Sequence, residues 1–252
     1  MSPRSQRPLP TVSDPMILQR FPDARALERD TLLGLVRLVP GMRLLDIQAA
    51  GGYLSEAAWL RLDGHVTCVC VEPSGEHRSR LDPRFVAVAE PIERFPAVTD
   101  GTIDAALGLA GLHHSTSHRA TLAESLRVLR PGGELALCDV LVGSAQARWL
   151  NEFVDAHSPS GHDGRFPIAG ATARVMRELG FVDVVEDVRE VPWRFASRAD
   201  ALAFMVGIFG LSCGVELVDA VVDDYLELRV GAGGVEVTWP LMYCRGVKPV
   251  SN

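Results

Sequence analysis

The sequence predicts an α/β chain: an open, mostly parallel β-sheet flanked by helices, with helical insertions towards the C-terminus. Three observations predict it. From about residue 42 to 140, short apolar runs alternate with helical stretches, as in a buried parallel sheet with right-handed crossovers. Leu44-Leu45-Asp46-Ile47-Gln48-Ala49-Ala50-Gly51-Gly52-Tyr53 reads as a buried strand that turns through small residues into a helix. After Val140 the strand–helix rhythm gives way to apolar helices and a polar loop.

The elements follow in order. Residues 23–39 have helical periodicity, with Asp23 as N-cap and Pro40-Gly41 as the stop. Strands are expected at 43–47, 66–71, 85–89, 103–109 and 135–140. Helices are expected at 54–62, closed by Asp63-Gly64, and at 119–129, stopped by Pro131-Gly132-Gly133. Beyond these, 145–156 reads as a helix and 157–165 as a polar loop. A helix at 168–179 ends at Gly180, and 181–191 alternates Val with acids, as a strand near a sheet edge does. Helices at 200–209 and 215–228 and a last strand at 233–244 complete the chain. Residues 1–15, rich in Pro, Ser and Arg without an apolar core, read as a disordered lead rather than a secretory signal.

Composition narrows the function. The chain has 252 residues, 47% of them hydrophobic and 23% charged, with a net charge of −7, ordinary for a globular protein. The acidic balance argues against nucleic acid and anionic membrane surfaces as partners, and no apolar run is long enough to span a bilayer. The five cysteines form no CxxC pair. Buried free thiols in a reducing, cytoplasmic setting are expected.

The motifs that carry chemistry lie at the ends of the predicted strands. Small residues after Asp46 let the backbone approach a ligand, and the helix that follows presents free N–H groups. Glu72 ends the second strand, where a carboxylate can accept both hydroxyls of a ribose. Glu90 follows the third strand, Gly111-Leu112-His113-His114 follows the fourth, and Arg127-Val128-Leu129-Arg130-Pro131-Gly132-Gly133 leads into the fifth. This series resembles the class I S-adenosylmethionine-dependent methyltransferases of the small-molecule, ubiquinone-biosynthesis type. Their first motif is usually Asp-x-Gly-x-Gly-x-Gly; here Gln48 and Ala50 replace the first two glycines, and Gly52 is kept. A nicotinamide or flavin fingerprint would need Gly at 48, 50 and 53, where this chain has Gln, Ala and Tyr.

The resemblance implies a Rossmann-like seven-stranded sheet, mostly parallel with an antiparallel C-terminal strand, plus helical cap insertions. It implies one methyltransferase domain at 16–252, with a cofactor-binding core at 40–142 and cap segments at 143–167 and 197–231. The implied cofactor is S-adenosylmethionine, bound by Asp46, Gln48, Ala49, Ala50, Gly52, Glu72, Pro73, Glu90, Pro91 and Leu109. The implied substrate is a small, largely apolar metabolite, as in natural-product biosynthesis, methylated by in-line displacement; a homodimer is compatible with this. A methyltransferase-fold enzyme that does not methylate (a cyclase or isomerase), or a non-catalytic small-molecule sensor, is the alternative reading.

His113 and His114 are candidate bases, because an imidazole can take the proton of a hydroxyl acceptor; equally, they could only shape their loop. The polar segment 151–164 offers His157 and His162 for proton transfer and Asn151 and Asp155 for substrate binding. Asp155, His157, His162 and Asp163 could together hold a divalent metal, but their spacing matches no known metal motif and none is expected. A capped helix end with a solvated loop is the plainer reading. Trp193, Trp239 and Tyr243 could line an apolar substrate site or simply pack a core.

Overall fold

The structure is a computed structural model that describes residues 16–250; the predicted lead at 1–15 lies outside the described residues. Among the described residues, ten strands form two sheets. They are β1 (Met42–Ile47), β2 (Val66–Val71), β3 (Val86–Val88), β4 (Ile103–Leu109), β5 (Leu129–Asp139), β6 (Val182–Glu190), β7 (Trp193–Phe195), β8 (Leu228–Gly231), β9 (Gly234–Val237) and β10 (Pro240–Val247). The large sheet has the order β3-β2-β1-β4-β5-β10-β6. Strands β1 to β5 pair in parallel, and β10 runs antiparallel to β5, with Tyr243 opposite Cys138. This is the predicted sheet, seven-stranded with an antiparallel strand near its C-terminal end.

Its central strands are apolar along their length because helices cover them. Leu44, Leu45, Val71, Ala106, Leu107, Leu135 and Leu137 are all at most 1% exposed. The order reverses at β1, with β2 on one side and β4 on the other, so the loops after β1 and β4 diverge at the carboxyl edge. In open α/β sheets that is where ligands bind.

The chain folds into two compact units: 29–142, 165–189 and 241–250 form one, and 16–28, 143–164 and 190–240 the other. The second unit contains the small sheet β7-β9-β8 together with helices Arg198–Phe209 and Val215–Tyr225. Its core is aromatic: the rings of Trp193 and Trp239 stack at 3.9 Å and those of Trp149 and Phe153 at 4.5 Å.

Several expected elements change. The strand read at 233–244 is two strands in different sheets; they part before Pro240, which has no N–H to give a ladder and so stands first in β10. Residue 228, expected to end a helix, starts β8, and β7 was not foreseen. Strands of three and four residues are too short to display a period. The helix read at 23–39 covers only Ala26–Leu33 and stops at Gly34, a poor helix former. The helix read at 145–156 widens into a π-helical turn over Trp149–Val154. Pro131-Gly132-Gly133 does not precede β5 but lies within it, at a register shift against β4.

Candidate cofactor and catalytic site

The loop after β1 is built on a buried carboxylate. Asp46 is 2% exposed, and its Oδ2 accepts the Ser55 hydroxyl at 2.8 Å and the Ser55 backbone N–H at 3.2 Å. Ser55 lies in the first turn of helix Tyr53–Arg61, so this clasp ties the strand end to the helix start. Burial pushes the Asp46 carboxyl up to about 7; the Ser55 hydrogen bonds oppose the rise and nearby Glu72 adds to it.

Between Asp46 and the helix the backbone is left-handed at four residues: Gln48 (φ 63°), Ala50 (φ 44°), Gly51 (φ 87°) and Gly52 (φ 93°). The glycine conformation is thus retained at two positions where the glycines themselves are not, at about 1–2 kcal/mol per non-glycine residue. At Gly52 a Cβ would also lie 3.2 Å from Leu81 Cδ2 and 3.3 Å from Phe85 Cε2, so this position has little room for a side chain.

The loop is tied across to β2. The Ala49 N–H reaches the Val71 carbonyl at 3.1 Å. Glu72, fully buried, accepts the Ala50 N–H on Oε2 and the Ser74 N–H on Oε1, both at 2.8 Å. Burial raises its carboxyl above the usual range, against the bonds from Ser74 and Ala50. Pro73 stands between these two anchors; its carbonyl and that of Glu72 accept from Arg78 Nη1. Glu90 is half-buried and accepts the Ala97 N–H at 3.1 Å, and Pro91 opens a turn that closes on Arg94. Leu109 ends β4, and Ala110 after it is again left-handed (φ 50°).

His113 and His114 sit on the short 3-10 turn Leu112–His114, with ring centres 4.0 Å apart. Asp139, the last residue of β5 and fully buried, holds this turn. Its Oδ1 lies 2.7 Å from His113 Nδ1, and its Oδ2 accepts the His113 backbone N–H at 2.8 Å. A carboxylate at Nδ1 favours the tautomer with its proton there, which leaves the lone pair on Nε2. Asp139 was not foreseen as a site residue. The signal was present, an acid closing an apolar run as Asp46 and Glu72 do, but nothing local connects it to a histidine 26 residues earlier.

The polar segment in the second unit closes on itself. Asn151 Oδ1 lies 2.9 Å from His162 Nδ1 and accepts the Gly164 N–H at 2.9 Å, and its Nδ2 donates to the Gly164 carbonyl. Asp155 accepts the His162 N–H at 2.8 Å. The ring of His157 lies 4.5 Å from that of Phe153, and its carbonyl receives the Ser212 N–H and hydroxyl. These bonds close the loop, and Asp163 is exposed. Trp193 and Trp239 are buried in the aromatic core of this unit. The Trp193 indole N–H donates to Glu28 at 2.9 Å, and Arg25 pairs with Glu28 as well. Tyr243, 1% exposed, is buried on β10 of the large sheet, with the Arg189 guanidinium 5.5 Å from its ring.

A family model described as a methyltransferase domain matches residues 19–186, which takes in the loop after β1, Glu72, the His113 turn and Asp139. The chain belongs to the methyltransferase-domain family. S-adenosylmethionine is the cofactor that goes with this family. This methyltransferase-family chain is 31% identical over 120 residues to the 27-O-demethylrifamycin SV methyltransferase of Amycolatopsis mediterranei, covering 45% of this chain and 44% of that one. It is 32% identical over 104 residues to the ubiquinone biosynthesis O-methyltransferase of Xanthomonas campestris pv. campestris, covering 39% and 43%. The matched stretch thus spans less than half the length of these curated relatives.

Solved structures share the fold. The [4+2]-cyclase SpnF aligns with a TM-score of 0.60 at 16% identity, over 98% of this chain and 100% of the other. A geranyl diphosphate methyltransferase in complex with GPP and sinefungin aligns at 0.58 and 16%, over 88% and 78%. The YcgJ protein of Bacillus subtilis aligns at 0.58 and 15%, over 89% and 99%. Among the described residues no helix is long and apolar enough to cross a membrane.

The residues present fit the family's cofactor. The loop keeps left-handed geometry without its glycines. Each Glu72 oxygen accepts one backbone N–H and retains a second lone pair. The Gln48 carboxamide is buried with neither Oε1 nor Nε2 partnered among the described residues.

Proposed function

We propose that this protein transfers a methyl group from S-adenosylmethionine to a small, largely apolar metabolite, in natural-product or similar small-molecule metabolism. The observation that carries the reading is the loop after β1, left-handed at Gln48 and Ala50 and joined by its Ala50 N–H to Glu72. Holding two non-glycine residues in this conformation costs energy, and an α/β sheet needs that loop shape at its carboxyl edge to receive a nucleoside.

When bound, S-adenosylmethionine supplies an electrophilic methyl group on a sulfonium. Asp46, Gln48, Ala49, Ala50 and Gly52 would hold one side of it, Glu72 with Pro73 the ribose hydroxyls, and Glu90, Pro91 and Leu109 the base. Positioning of the acceptor supplies much of the acceleration. A base is required only for an acceptor that must lose a proton. His113 is proposed for that role: Asp139 fixes its ring, and Nε2 takes the proton of a hydroxyl acceptor. His114, on the same turn, is the other candidate. Asn151, Asp155, His157 and His162 are proposed on the substrate side. Trp193, Trp239 and Tyr243 serve as core.

A second reading is a methyltransferase-fold enzyme that does not methylate. It is favoured by the two lost motif glycines and by the existence of a cyclase with this fold. The test is calorimetric titration with S-adenosylmethionine and S-adenosylhomocysteine, followed by a screen of apolar hydroxyl compounds with methyl-labelled donor. Micromolar binding, about −8 kcal/mol, with label transfer supports the proposal. Binding of neither nucleoside refutes it. Binding with product formation but no label transfer moves the chain to the second reading.

A further inference from the structure

Gln48 departs furthest from the family motif, and its surroundings are specific to it. The residue is 5% exposed, with both side-chain polar atoms buried and unpartnered among the described residues. Its backbone is left-handed at φ 63°, so the position would be easier for glycine. Its stem fills space that another residue has left open: a Cβ on Gly111 would lie 2.6 Å from Gln48 Cβ and 3.1 Å from its Cγ. Glycine at 111 and glutamine at 48 therefore fit as a pair, the bare backbone of one leaving room for the stem of the other.

Packing alone does not require a carboxamide here. An unbranched apolar side chain would fill the same volume without burying unmet donors and an acceptor, which is unfavourable. A group that is a poor choice for the empty protein is a good choice if a ligand completes its hydrogen bonds. The carboxamide offers N–H donors on one atom and lone pairs on the other. A zwitterionic α-amino-acid group answers both: its carboxylate accepts from Nε2, and its ammonium donates to Oε1.

We infer that Gln48 is a specificity-determining residue that recognises the α-amino-acid end of the cofactor. The inference rests on the cofactor reading above. It accounts for the loss of the motif glycine, because a side chain takes over recognition from a bare backbone. It also separates two ligands that share a nucleoside and a thioether. S-adenosylhomocysteine carries the amino-acid group; 5′-methylthioadenosine lacks it.

The experiment measures binding of both compounds by calorimetry, and the melting temperature without ligand, for wild type, Gln48→Met and Gln48→Gly. Gln48→Met keeps the length and removes the polar atoms. It is expected to raise the ligand-free melting temperature by about 2–4 °C and to weaken S-adenosylhomocysteine about tenfold, while 5′-methylthioadenosine changes less than twofold. Gln48→Gly, which relaxes the backbone, is expected to show the same selective loss and serves if the Met variant does not fold. Unchanged or tighter S-adenosylhomocysteine binding in the variants overturns the inference, and so does an equal loss for both ligands. If wild type binds neither compound, the cofactor reading falls and takes this inference with it. If wild type binds and the variants bind equally well, only the role of Gln48 falls.

Discussion

Asp46 and Asp139 lie at the carboxyl ends of two parallel strands of one sheet, both buried, yet they are answered by different partners. Asp46 meets the hydroxyl and N–H of Ser55, both neutral. Burial carries its carboxyl up to about 7. Asp139 meets an imidazole and the backbone N–H groups of His113 and Val140. The first arrangement clamps a loop to a helix. The second fixes a ring that can carry a proton. The partner of a buried strand-end acid thus decides whether it clamps a loop or orients a ring.

The largest expected effect breaks the second arrangement. Asp139→Asn removes the charge that orients His113. With any hydroxyl acceptor found in the screen, labelled-methyl transfer should fall by about 10²-fold, as for loss of a general base, with affinity for S-adenosylhomocysteine nearly unchanged. Full turnover in this variant would mean that the two acids do the same structural work.

Next comes the pH dependence of the first arrangement. The folded carboxyl of Asp46, at about 7, lies above its ordinary 3.8. Between these values the folded protein keeps a proton that the unfolded chain has lost. Asp46 therefore contributes most stability below about pH 4 and loses it as pH rises to 7. The loss is on the order of 4 kcal/mol. Asp46→Asn keeps a neutral acceptor for Ser55 and should flatten this slope, which urea midpoints at pH 5 and pH 8 would measure. An equal slope in variant and wild type would place the titration elsewhere.

The smallest effect sharpens the picture of the loop between these acids. Ala50→Gly relieves a left-handed alanine, a gain of about 1–2 kcal/mol, and adds unfolded-state freedom, a loss of about 0.5–1 kcal/mol. A net rise in stability of about 0.5 kcal/mol by urea denaturation is expected, with the same sign for Ala110→Gly at φ 50°. A fall would mean that the alanine methyl packs in a way that outweighs its backbone strain.

The large sheet was legible because each buried parallel strand is a local apolar run between helices; 66–71 and 103–109 match β2 and β4 to the residue. That Asp46, Gln48, Ala50 and Glu72 stand at the carboxyl ends of β1 and β2 was legible because each lies where an apolar run closes. The small sheet was not. Trp193 and Leu228 both face Val237, and pairings that distant leave no period in strands of three or four residues. The strand end at Pro240 could have been found from the missing N–H alone.

By itself the sequence determined the architecture of the large sheet and which acids stand at its carboxyl edge, because apolar periodicity and strand-end acids are properties of neighbouring residues. Tertiary structure alone decided that Gln48 and Ala50 adopt left-handed backbone without glycine, since β1 and the helix Tyr53–Arg61 hold the loop at its two ends and Glu72 after β2 holds its middle. It alone brought Asp139 to His113 and paired the stem of Gln48 with the bare backbone of Gly111. Those contacts join residues far apart in the chain, and only packing of the sheet places them within bonding distance.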